Sequence, residues 1–419
     1  MDHFDIQPLA RFVTGERASI RRPKEIASFS YDDAHGFHLD ERSLRYYYPP
    51  TIGADLSKGA ATSGALLPHH FLPAVWRHLK PSSFWRHAPG LCPPGFDSFQ
   101  QLDDTADDHL DSLLKTIIDL ESRTGKKCQA DLVTWRGMMT KIMATPFDLF
   151  NGFEMNATRF QDTIFIEENH AHKLESRHAQ HHQVSRAGTA SQDLMSYWGY
   201  KFETLALIPA TWAETSRDYI ESREDLVVNN HAQYCSLVRT GIGKSRLVLG
   251  GEVDALWDAK PSRADDPINW VELKTAATPL SDRDVLKYER KLLKFWIQSF
   301  LLGVPRIIVG FRSKNGILQS LEELETSEIP RLVKQRGKGT WDGNTCIDFT
   351  ASFLDCVQWY ADGIEGLKST IVGEGVWRIR KREKATVIEV LRIEASGHAN
   401  ILSPDFLTWR SRSGQGQVS

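Results

Sequence analysis

The sequence predicts a mixed α+β domain in which mixed and antiparallel β-sheets are flanked by helices. The segments YWGYKFETLALI, YCSLVRTGIGKSRLVLGGEVDALWD and NWVELKTA alternate apolar and polar residues, which is typical of a meander of strands. Residues 281–302 follow with the period of an amphipathic helix, and the next segment, PRIIVGFR, has the apolar run of a buried strand. The composition, 41 % hydrophobic and 25 % charged in 419 residues, suits one large α/β domain or two ordinary ones.

The elements before this region are less regular. The first hundred residues are rich in Pro, Gly and aromatic residues, so we expect strands and long ordered loops there, with Pro49-Pro50 and Pro93-Pro94 interrupting any helix. Residues 106–123 place leucines and Ile117 at helical spacing behind a group of acids, which predicts an amphipathic helix. The segment ADLVTW is then expected to form a short strand that leads into RGMMTKIMATPF.

The elements after PRIIVGFR complete the expected domain. GILQSLEELET is a strand or a short helix, residues 350–367 are expected to be helical, and WRIRKRE with TVIEVLRI is expected to form a hairpin. There is no internal repeat and no linker composition, so we expect one domain over residues 1–410. Residues 411–419 read as a disordered tail.

Charge and cysteine content exclude several classes of protein. The net charge of -3 gives no overall nucleic-acid signal, so any binding to RNA or DNA must depend on a local basic patch. Five cysteines lie far apart without a CxxC pair, which argues against a disulfide framework and a zinc site and favours a reducing compartment. No apolar segment has the length of a signal peptide core or a membrane span, so secretion and membrane insertion are not expected.

The residues that predict chemistry lie in GGEVDALWD and NWVELKTA. Side chains two apart on a strand point to the same face, so Glu252 and Asp254 are expected roughly 7 Å apart on one face, and Glu272 and Lys274 on one face of the next strand. If the two strands are neighbours, three carboxylates and one ammonium converge, which is costly unless a cation binds among them. Oxygen ligands without imidazole or thiolate favour Mg²⁺ or Mn²⁺, so the pattern predicts a divalent-metal hydrolase.

Three further segments carry weaker indications. Lys287, Lys291, Lys294 and Gln298 form a polar stripe on the helix after the second strand; such a stripe is usually solvated, but this strand-to-helix step can direct it toward the carboxylates. Glu203, in GYKFE, is a fourth acid on a segment that alternates like a strand. Arg136 sits where a strand gives way to a helix, a position suited to binding phosphate.

A cluster of five histidines lies in ENHAHKLESRHAQHHQ. Its neighbours are flexible polar residues without the flanking structure that holds metal ligands in place. We therefore interpret this segment as a solvated, mobile insertion and not as a metal site.

Taken together, these motifs resemble the DXO family of RNA 5′-end quality-control enzymes, which has the fold of two-metal nucleases. The resemblance covers residues 136–312 and includes, in family order, the arginine of TWRG, GYKFE, EVD, ELK, the K-F-W-x-Q run of the helix, and GFR. An isolated ExK is a weak match, whereas six motifs in order are specific. The N-terminal FHLDERSLRYYYPP also resembles the fungal nuclear branch, whose members accompany the nuclear 5′-to-3′ exoribonuclease.

The resemblance implies roles for individual residues. The implied ligands of two divalent cations are the carboxylates Glu203, Glu252, Asp254 and Glu272 and the backbone carbonyl of Leu273. Lys274 and Gln298 match the residues that orient and activate the attacking water, so the catalytic set is Glu252, Asp254, Glu272, Lys274 and Gln298. Arg136 matches a contact to RNA phosphate, and Glu203, Lys274 and Gln298 would also contact the substrate.

The implied substrates are RNAs with a 5′ triphosphate, an incomplete cap or an NAD cap, and the implied location is the nucleus. Whether the RNA body is also degraded stays open. Two alternatives remain from the residues alone. One is a DNA endonuclease of the same fold, which would share the ExD and ExK segments. The other is a protein that acts mainly by binding and stabilising the exoribonuclease.

Overall fold

The computed structural model describes residues 2–13, 16–58, 94–103, 105–181, 190–263, 266–335, 337–358 and 371–415. Within these residues the chain forms two β-sheets, of ten and six strands, with helices packed against them, which confirms the predicted α+β class. The strands are β1 Asp2–Asp5, β2 Ile20–Tyr31, β3 Phe37–His38, β4 Tyr46–Tyr47, β5 Leu132–Trp135, β6 Phe153–Phe160, β7 Thr163–Glu168, β8 Leu207–Ile208, β9 Gln233–Ile242, β10 Ser245–Glu252, β11 Ala255–Leu256, β12 Trp270–Ala277, β13 Arg306–Arg312, β14 Leu318–Glu325, β15 Val376–Lys381 and β16 Val387–Glu394.

The helices connect these strands and cover the sheets. They are α1 Pro94–Asp97, α2 Asp111–Thr124, α3 Arg136–Ala144, α4 His170–His181, α5 Gln192–Ala206, α6 Arg217–Glu221, α7 Asp282–Leu302, α8 Ile329–Gln335, α9 Gly343–Gln358 and α10 Pro404–Gln415. None of the helices in the described part of the chain is long and apolar enough to cross a membrane. The four cysteines that the structure describes are all free thiols.

Both sheets combine parallel and antiparallel neighbours. The ten-stranded sheet has the order β1-β16-β15-β6-β7-β5-β10-β9-β2-β3, and β5 runs parallel to both β7 and β10. The six-stranded sheet has the order β14-β13-β12-β11-β4-β8, with β12 parallel to β13. The predicted hairpin is present, since β15 and β16 pair antiparallel.

The chain passes from one sheet to the other between Glu252 and Ala255, since β10 belongs to the larger sheet and β11 to the smaller one. The expectation that GGEVDALWD forms one strand-like segment is therefore wrong. At the crossing, the Asp254 carboxylate accepts the backbone N–H of Leu273 at 2.6 Å, so a side chain takes the place of a ladder carbonyl. Val253 is 2 % exposed, which anchors the crossing in the core.

Helix α7 carries much of the packing near this crossing. Ser281 caps it by accepting the N–H of Asp284, and Gly303 ends it in the left-handed conformation at a φ of 72°. Its buried face includes Leu293, Trp296 and Ile297, each less than 5 % exposed. Complete burial of such a side chain contributes about 1.5–3 kcal/mol, so this face fixes the helix against α3 and the sheets.

Five further segments differ from the sequence prediction. The strand expected over residues 197–208 is limited to β8 at its end, and residues 197–206 belong to helix α5. Ser191 caps this helix, and its buried residues follow a helical period, among them Tyr197, Trp198 and Phe202. Helix α2 begins at Asp111, later than predicted. Helix α9 begins at Gly343, earlier than predicted, and residues 359–367 lie outside the described residues.

The other two differences concern segments expected to lack structure. Residues 170–181 of the histidine-rich segment form helix α4, and His182 lies outside the described residues. Helix α10 continues to Gln415, so the disorder expected from residue 411 is not seen over 411–415. Arg410 is 5 % exposed and its guanidinium lies 2.7 Å from Glu121, which fixes this helix to α2. In the first hundred residues, 59–93 lie outside the described part, including Pro93.

Candidate active site

The predicted acids come together where the two sheets meet. Glu252 is the last residue of β10, and Asp254 lies in the crossing that leads to β11. Strand β11 pairs antiparallel with β12, with Ala255 opposite Val271, so the strand that carries Glu272 lies directly beside the crossing. The prediction that the two segments are neighbours is confirmed, although two sheets and not one contribute to the cluster.

Strand β12 presents Glu272 and Lys274 on one face, as the two-residue period predicts. Lys274 Nζ lies 2.6 Å from Glu272 Oε1, and Glu272 is fully buried. Leu273, between them, is 1 % exposed and packs into the core on the other face. Its N–H donates to Asp254 Oδ2 at 2.6 Å, so Asp254 is held against the same strand.

Arg136 begins helix α3 directly after strand β5. Its Nη1 donates to Glu272 Oε2 at 3.1 Å, and its side chain is 14 % exposed. Gly251 permits this position, because a Cβ there would meet Arg136 Cβ at 3.0 Å and Leu302 Cδ1 at 2.9 Å. The glycine before Glu252 thus lets α3 and α7 pack close to β10 and brings the guanidinium to the carboxylates.

Glu203 reaches the cluster from helix α5. Phe202, its neighbour, is fully buried and anchors the helix against β12. The pKa of Glu203 is raised well above its ordinary value, first by burial and then by the negative charges of Asp254 and Glu252. All four predicted carboxylates therefore act on one another, although Glu203 lies on a helix and not on the strand expected from its sequence.

The electrostatics of the cluster show an excess of negative charge. Burial first, and then Asp254, raise the pKa of Glu252 to about 8. Burial and Glu272 raise the pKa of Asp254 to about 6. Glu272 differs because Arg136 and Lys274 outweigh its burial and lower its pKa. Four carboxylates face two cations, so full ionisation would leave two uncompensated negative charges.

This excess matches the charge and ligand preference of a divalent cation. All four acids offer oxygen, the donor that Mg²⁺ and Mn²⁺ prefer. Cys235 lies opposite Glu252 in the ladder, but burial and the charge of Glu252 raise its pKa, so it stays a neutral thiol. Among the described residues no three His, Cys, Asp or Glu side chains are already arranged to hold a metal. Arg136, Lys274 and the Leu273 N–H occupy carboxylate oxygens that would have to turn toward a cation.

Gln298 and Arg136 line a groove of about 380 Å³ that leads to Glu252. The lysine stripe predicted beside Gln298 does not act as a unit. Lys294 is paired with Asp148 at 2.8 Å, and Lys287 with Asp284 at 3.5 Å. The structure therefore brings Gln298 to the groove and assigns two of the lysines to ion pairs on the helix surface.

Arg312, at the end of β13, is a candidate site residue that the sequence analysis named only as part of GFR. It is 7 % exposed, its guanidinium stacks on Trp198 at 4.3 Å, and its Nε has no hydrogen-bond partner among the described residues. Burial and the nearby charge of Arg312 lower the pKa of Lys291. No carboxylate of the described residues acts on the pKa of Lys291 or Arg312, so the two cations are suited to an anionic group. The sequence feature that could have identified Arg312 as a site residue is its position at the end of an apolar strand.

The histidines of α4 do not form a metal site within the described residues. His170 lines the groove, and its Nε2 lies 2.8 Å from the backbone oxygen of Thr105. His178 is exposed. The segment through His181 is a helix and not the mobile insertion that we expected.

Comparison with known proteins places this geometry in a family. A family model described as RAI1 like PD-(D/E)XK nuclease matches residues 21–65 and 82–407. The decapping nuclease RAI1 of Aspergillus fumigatus is 56 % identical over 410 residues, which cover 98 % of this chain and 99 % of that protein. The decapping nuclease RAI1 of Candida albicans is 31 % identical, covering 94 % of this chain and 95 % of the relative.

Solved structures agree with the sequence comparison. The crystal structure of Candida albicans Rai1 in complex with pU5 and Mn²⁺ superposes with a TM-score of 0.78 at 29 % identity, covering 99 % of this chain and 100 % of that chain. Scheffersomyces stipitis Rai1, solved with (3′-NADP)⁺ and a calcium ion, gives 0.76 at 25 % identity, covering 98 % and 100 %. Divalent cations are thus bound by structures of this fold.

Proposed function

Because this chain belongs to the RAI1-like PD-(D/E)XK nuclease family, we propose that it is a divalent-metal-dependent hydrolase that removes groups from RNA 5′ ends. The observation that carries the proposal is the set of four interacting carboxylates with Arg136 and Lys274 at the junction of the sheets. The relatives that span nearly the whole chain are named decapping nucleases, which supports RNA as the substrate class.

The residues that would hold the metal are Glu203, Glu252, Asp254, Glu272 and the carbonyl of Leu273. Bound there, two divalent cations such as Mg²⁺ or Mn²⁺ would lower the pKa of a water and neutralise charge on the reacting phosphate. Manganese and calcium complexes of related structures support divalent binding. The choice between Mg²⁺ and Mn²⁺ is part of the proposal.

Lys274 orients the attacking water. Burial opposes its charge, but Glu272 and Asp254 outweigh burial and raise its pKa, so the ammonium stays protonated. A fixed positive charge beside the water favours hydroxide over neutral water. Gln298, in the groove wall, is assigned to hold the same water through its amide.

Arg136 binds the phosphate that is attacked. The hydrogen bonds of its side chain to described residues run from Nη1 to Glu272, which leaves Nε and Nη2 to donate to phosphate oxygens. It stands at the N-terminus of α3, where the helix dipole also attracts anions. Arg312 and Lys291 would add positive charge for neighbouring phosphates.

The proposed substrates are RNAs with a 5′ triphosphate, an incompletely methylated cap or an NAD cap. The same metal centre can cut a phosphoanhydride or a phosphodiester, depending on the phosphorus that the groove presents to it. The (3′-NADP)⁺ complex of the Scheffersomyces stipitis relative supports the NAD-cap substrate. The pU5 complex of the Candida albicans relative supports binding of an RNA body that carries a 5′ phosphate.

The proposal includes a nuclear location and a nuclear 5′-to-3′ exoribonuclease as a stabilising partner. Its support is the resemblance of FHLDERSLRYYYPP to the fungal nuclear branch. The partner proposal is tested by gel filtration of the two purified proteins, separately and mixed. A joint peak and a longer half-life of exoribonuclease activity are expected, and two separate peaks with unchanged half-lives would contradict it.

The hydrolase proposal is tested with three RNAs that carry a 5′ triphosphate, an unmethylated cap or an NAD cap. Wild type, a Glu252→Gln/Asp254→Asn variant and a Glu322→Gln/Glu323→Gln control are incubated with Mg²⁺ or Mn²⁺. We expect a specific 5′ product from wild type and the control but not from the site variant. Equal release from the site variant would refute the metal assignment, and cleavage of duplex DNA in preference to all three RNAs would favour the DNA endonuclease alternative.

A further inference from the structure

A second group of cations lies at the opposite end of β10 from Glu252. It consists of Arg21 on β2, Arg239 on β9, Arg246 on β10 and Lys127 in the segment after α2. Arg21, Arg239 and Lys127 are exposed, and the side chain of Arg246 is 43 % exposed. We refer to these four residues as the cationic sheet end.

Strand register places the three arginines on one face. Arg21 of β2 and Arg246 of β10 both lie opposite Gly241 of β9, so the three residues form one row across the sheet. Residues opposite each other share a face, and Arg239, two residues before Gly241, shares it too. A Cβ on Gly241 would meet Arg21 Cδ at 2.9 Å, so the Arg21 stem lies flat across β9.

Contacts bring Lys127 into the same group. Arg239 of β9 lies close enough to Cys128, the residue that follows Lys127, for its charge to act on the pKa of that thiol. Arg246 binds Asp131 at 2.6 Å and Gln129 at 3.2 Å, which joins the segment to β10. The cations therefore surround a single stretch of chain, residues 127–131, at the edge of the sheet.

The charges at this place do not balance. Two further arginines bring the number of positive charges to six: Arg410, whose charge acts on Lys127, and Arg159, which pairs with Asp162, a carboxylate that also acts on Lys127. The described carboxylates here are Asp131, Glu121 and Asp162, bound respectively by Arg246, Arg410 and Arg159. Six minus three leaves an excess of three positive charges on a chain of net charge -3.

We propose that the cationic sheet end binds the phosphate backbone of RNA downstream of the 5′ end that occupies the active site. The inference rests on the proposed function, because the same RNA would span both places. Arg246 and Glu252 are six residues apart on one strand, which is about 20 Å. Helix α2 covers β10 between the two places, with Leu113 packed against Gly250, so the RNA would pass over this helix. At roughly 3.4 Å of rise per nucleotide in a stacked strand, at least about six nucleotides separate the two places.

RNA suits this surface better than an acidic protein segment does, because a 5′ end bound at Glu252 already brings a continuous polyanion within about 20 Å. Each arginine can bind a phosphate with two parallel hydrogen bonds. The contacts carry no base-edge recognition, so we expect binding to depend on length and salt but not on sequence.

The test compares RNA binding by wild type and an Arg21→Gln/Arg239→Gln variant of the full chain. Glutamine keeps part of each side chain and removes the charge. The control is Arg331→Gln/Lys334→Gln, which removes the same number of positive charges from helix α8. Fluorescence anisotropy in EDTA measures affinity for 5′-monophosphate RNAs of roughly 4 and 20 nucleotides over a salt series.

The 20-nucleotide RNA is expected to bind the Arg21/Arg239 variant on the order of ten-fold more weakly than wild type at low salt. The slope of log affinity against log salt should fall by about 1.4, or 0.7 for each lost phosphate contact. The short RNA should bind wild type and both variants equally. Unchanged affinity and slope for the long RNA, or an equal loss in the α8 control, would overturn the proposal.

Two additional measurements separate the remaining outcomes. An acidic peptide that displaces the labelled RNA as strongly as unlabelled RNA does would overturn the proposal that the ligand is RNA and would favour a protein ligand. Hydrolysis of the 4-nucleotide RNA with a 5′ triphosphate reports on the active site alone. If wild type does not hydrolyse this short RNA, the proposed function is contradicted. The dependence of binding on RNA length, measured in EDTA, would still test whether the cationic sheet end binds RNA.

Discussion

Neutralising Glu272 is expected to destabilise the metal-free protein. Glu272 is fully buried and binds both Arg136 and Lys274. Removing one partner from a buried ion pair costs about 3–5 kcal/mol, because the remaining charge is left uncompensated. Arg136 and Lys274 keep 14 % and 23 % of their side chains exposed, and three further carboxylates still attract them. We therefore expect Glu272→Gln to lower the free energy of unfolding by about 2–3 kcal/mol.

The same change at Glu252 is expected to have the opposite sign. The pKa of Glu252 is raised from 4.5 to about 8, so between these values the folded state binds a proton that the unfolded state releases. Stability is therefore lost as pH rises through this range. A pKa difference of this size corresponds to about 5 kcal/mol in the free energy of unfolding. Partial exposure of Glu252 and relaxation of its surroundings reduce this to on the order of 2 kcal/mol. Glu252→Gln removes this loss, so it should stabilise the metal-free protein at about pH 8 and change it little at about pH 5.

The assay is urea unfolding in EDTA at about pH 5 and about pH 8. Glu289→Gln is the control, because backbone N–H groups of Lys338 and Thr340 outweigh burial and lower the pKa of Glu289, so its neutralisation should cost stability at the higher pH. If Glu252→Gln and Glu272→Gln shift stability in the same direction at about pH 8, our description of the charge balance is wrong. Added Mn²⁺ should stabilise wild type more than either site variant.

Three other changes test individual features. Arg312→Gln should raise KM for 5′-triphosphate RNA several-fold with little change in kcat, and an unchanged KM would remove Arg312 from the phosphate contacts. Gly251→Ala should lower stability by about 1–3 kcal/mol and reduce turnover, because its Cβ would meet Arg136 and Leu302 at 3.0 and 2.9 Å; unchanged thermal unfolding and turnover would contradict that close packing. Replacing His172 and His178 together by Ala should leave turnover and manganese affinity unchanged, and a large loss of either would show that α4 takes part in the site.

Within one strand, the sequence was sufficient to place side chains. The two-residue period put Glu272 and Lys274 on one face, and their atoms lie 2.6 Å apart. The same argument failed at Glu252 and Asp254, because the chain changes sheets between them. Periodicity has no information about such a crossing. It depends on tertiary contacts, here the hydrogen bond from the Leu273 N–H to Asp254 and the burial of Val253.

Helix and strand were confused where short apolar segments fit both periods. In GYKFE, Tyr200 and Phe202 alternate with polar residues, and this favoured a strand. The feature that distinguishes the helix is its N-cap, Ser191, which lies eight residues before the motif begins. The side chain of Ser191 accepts the N–H of Leu194. Arg312 was missed as a site residue for a different reason, since only the structure shows that its Nε is buried with no hydrogen-bond partner in the described part of the chain.

The helical conformation of this segment also determines the charge of the site. On a strand, Lys201 and Glu203 would share a face, and the ammonium would neutralise the carboxylate. On helix α5 residues two apart point in different directions, and Lys201 is 1 % exposed with its Nζ bound to the Glu224 carbonyl at 2.7 Å. Glu203 therefore enters the cluster without this cation, and its charge adds to those of Glu252 and Asp254. The excess negative charge that would attract a divalent cation follows from this backbone conformation as much as from the acids themselves.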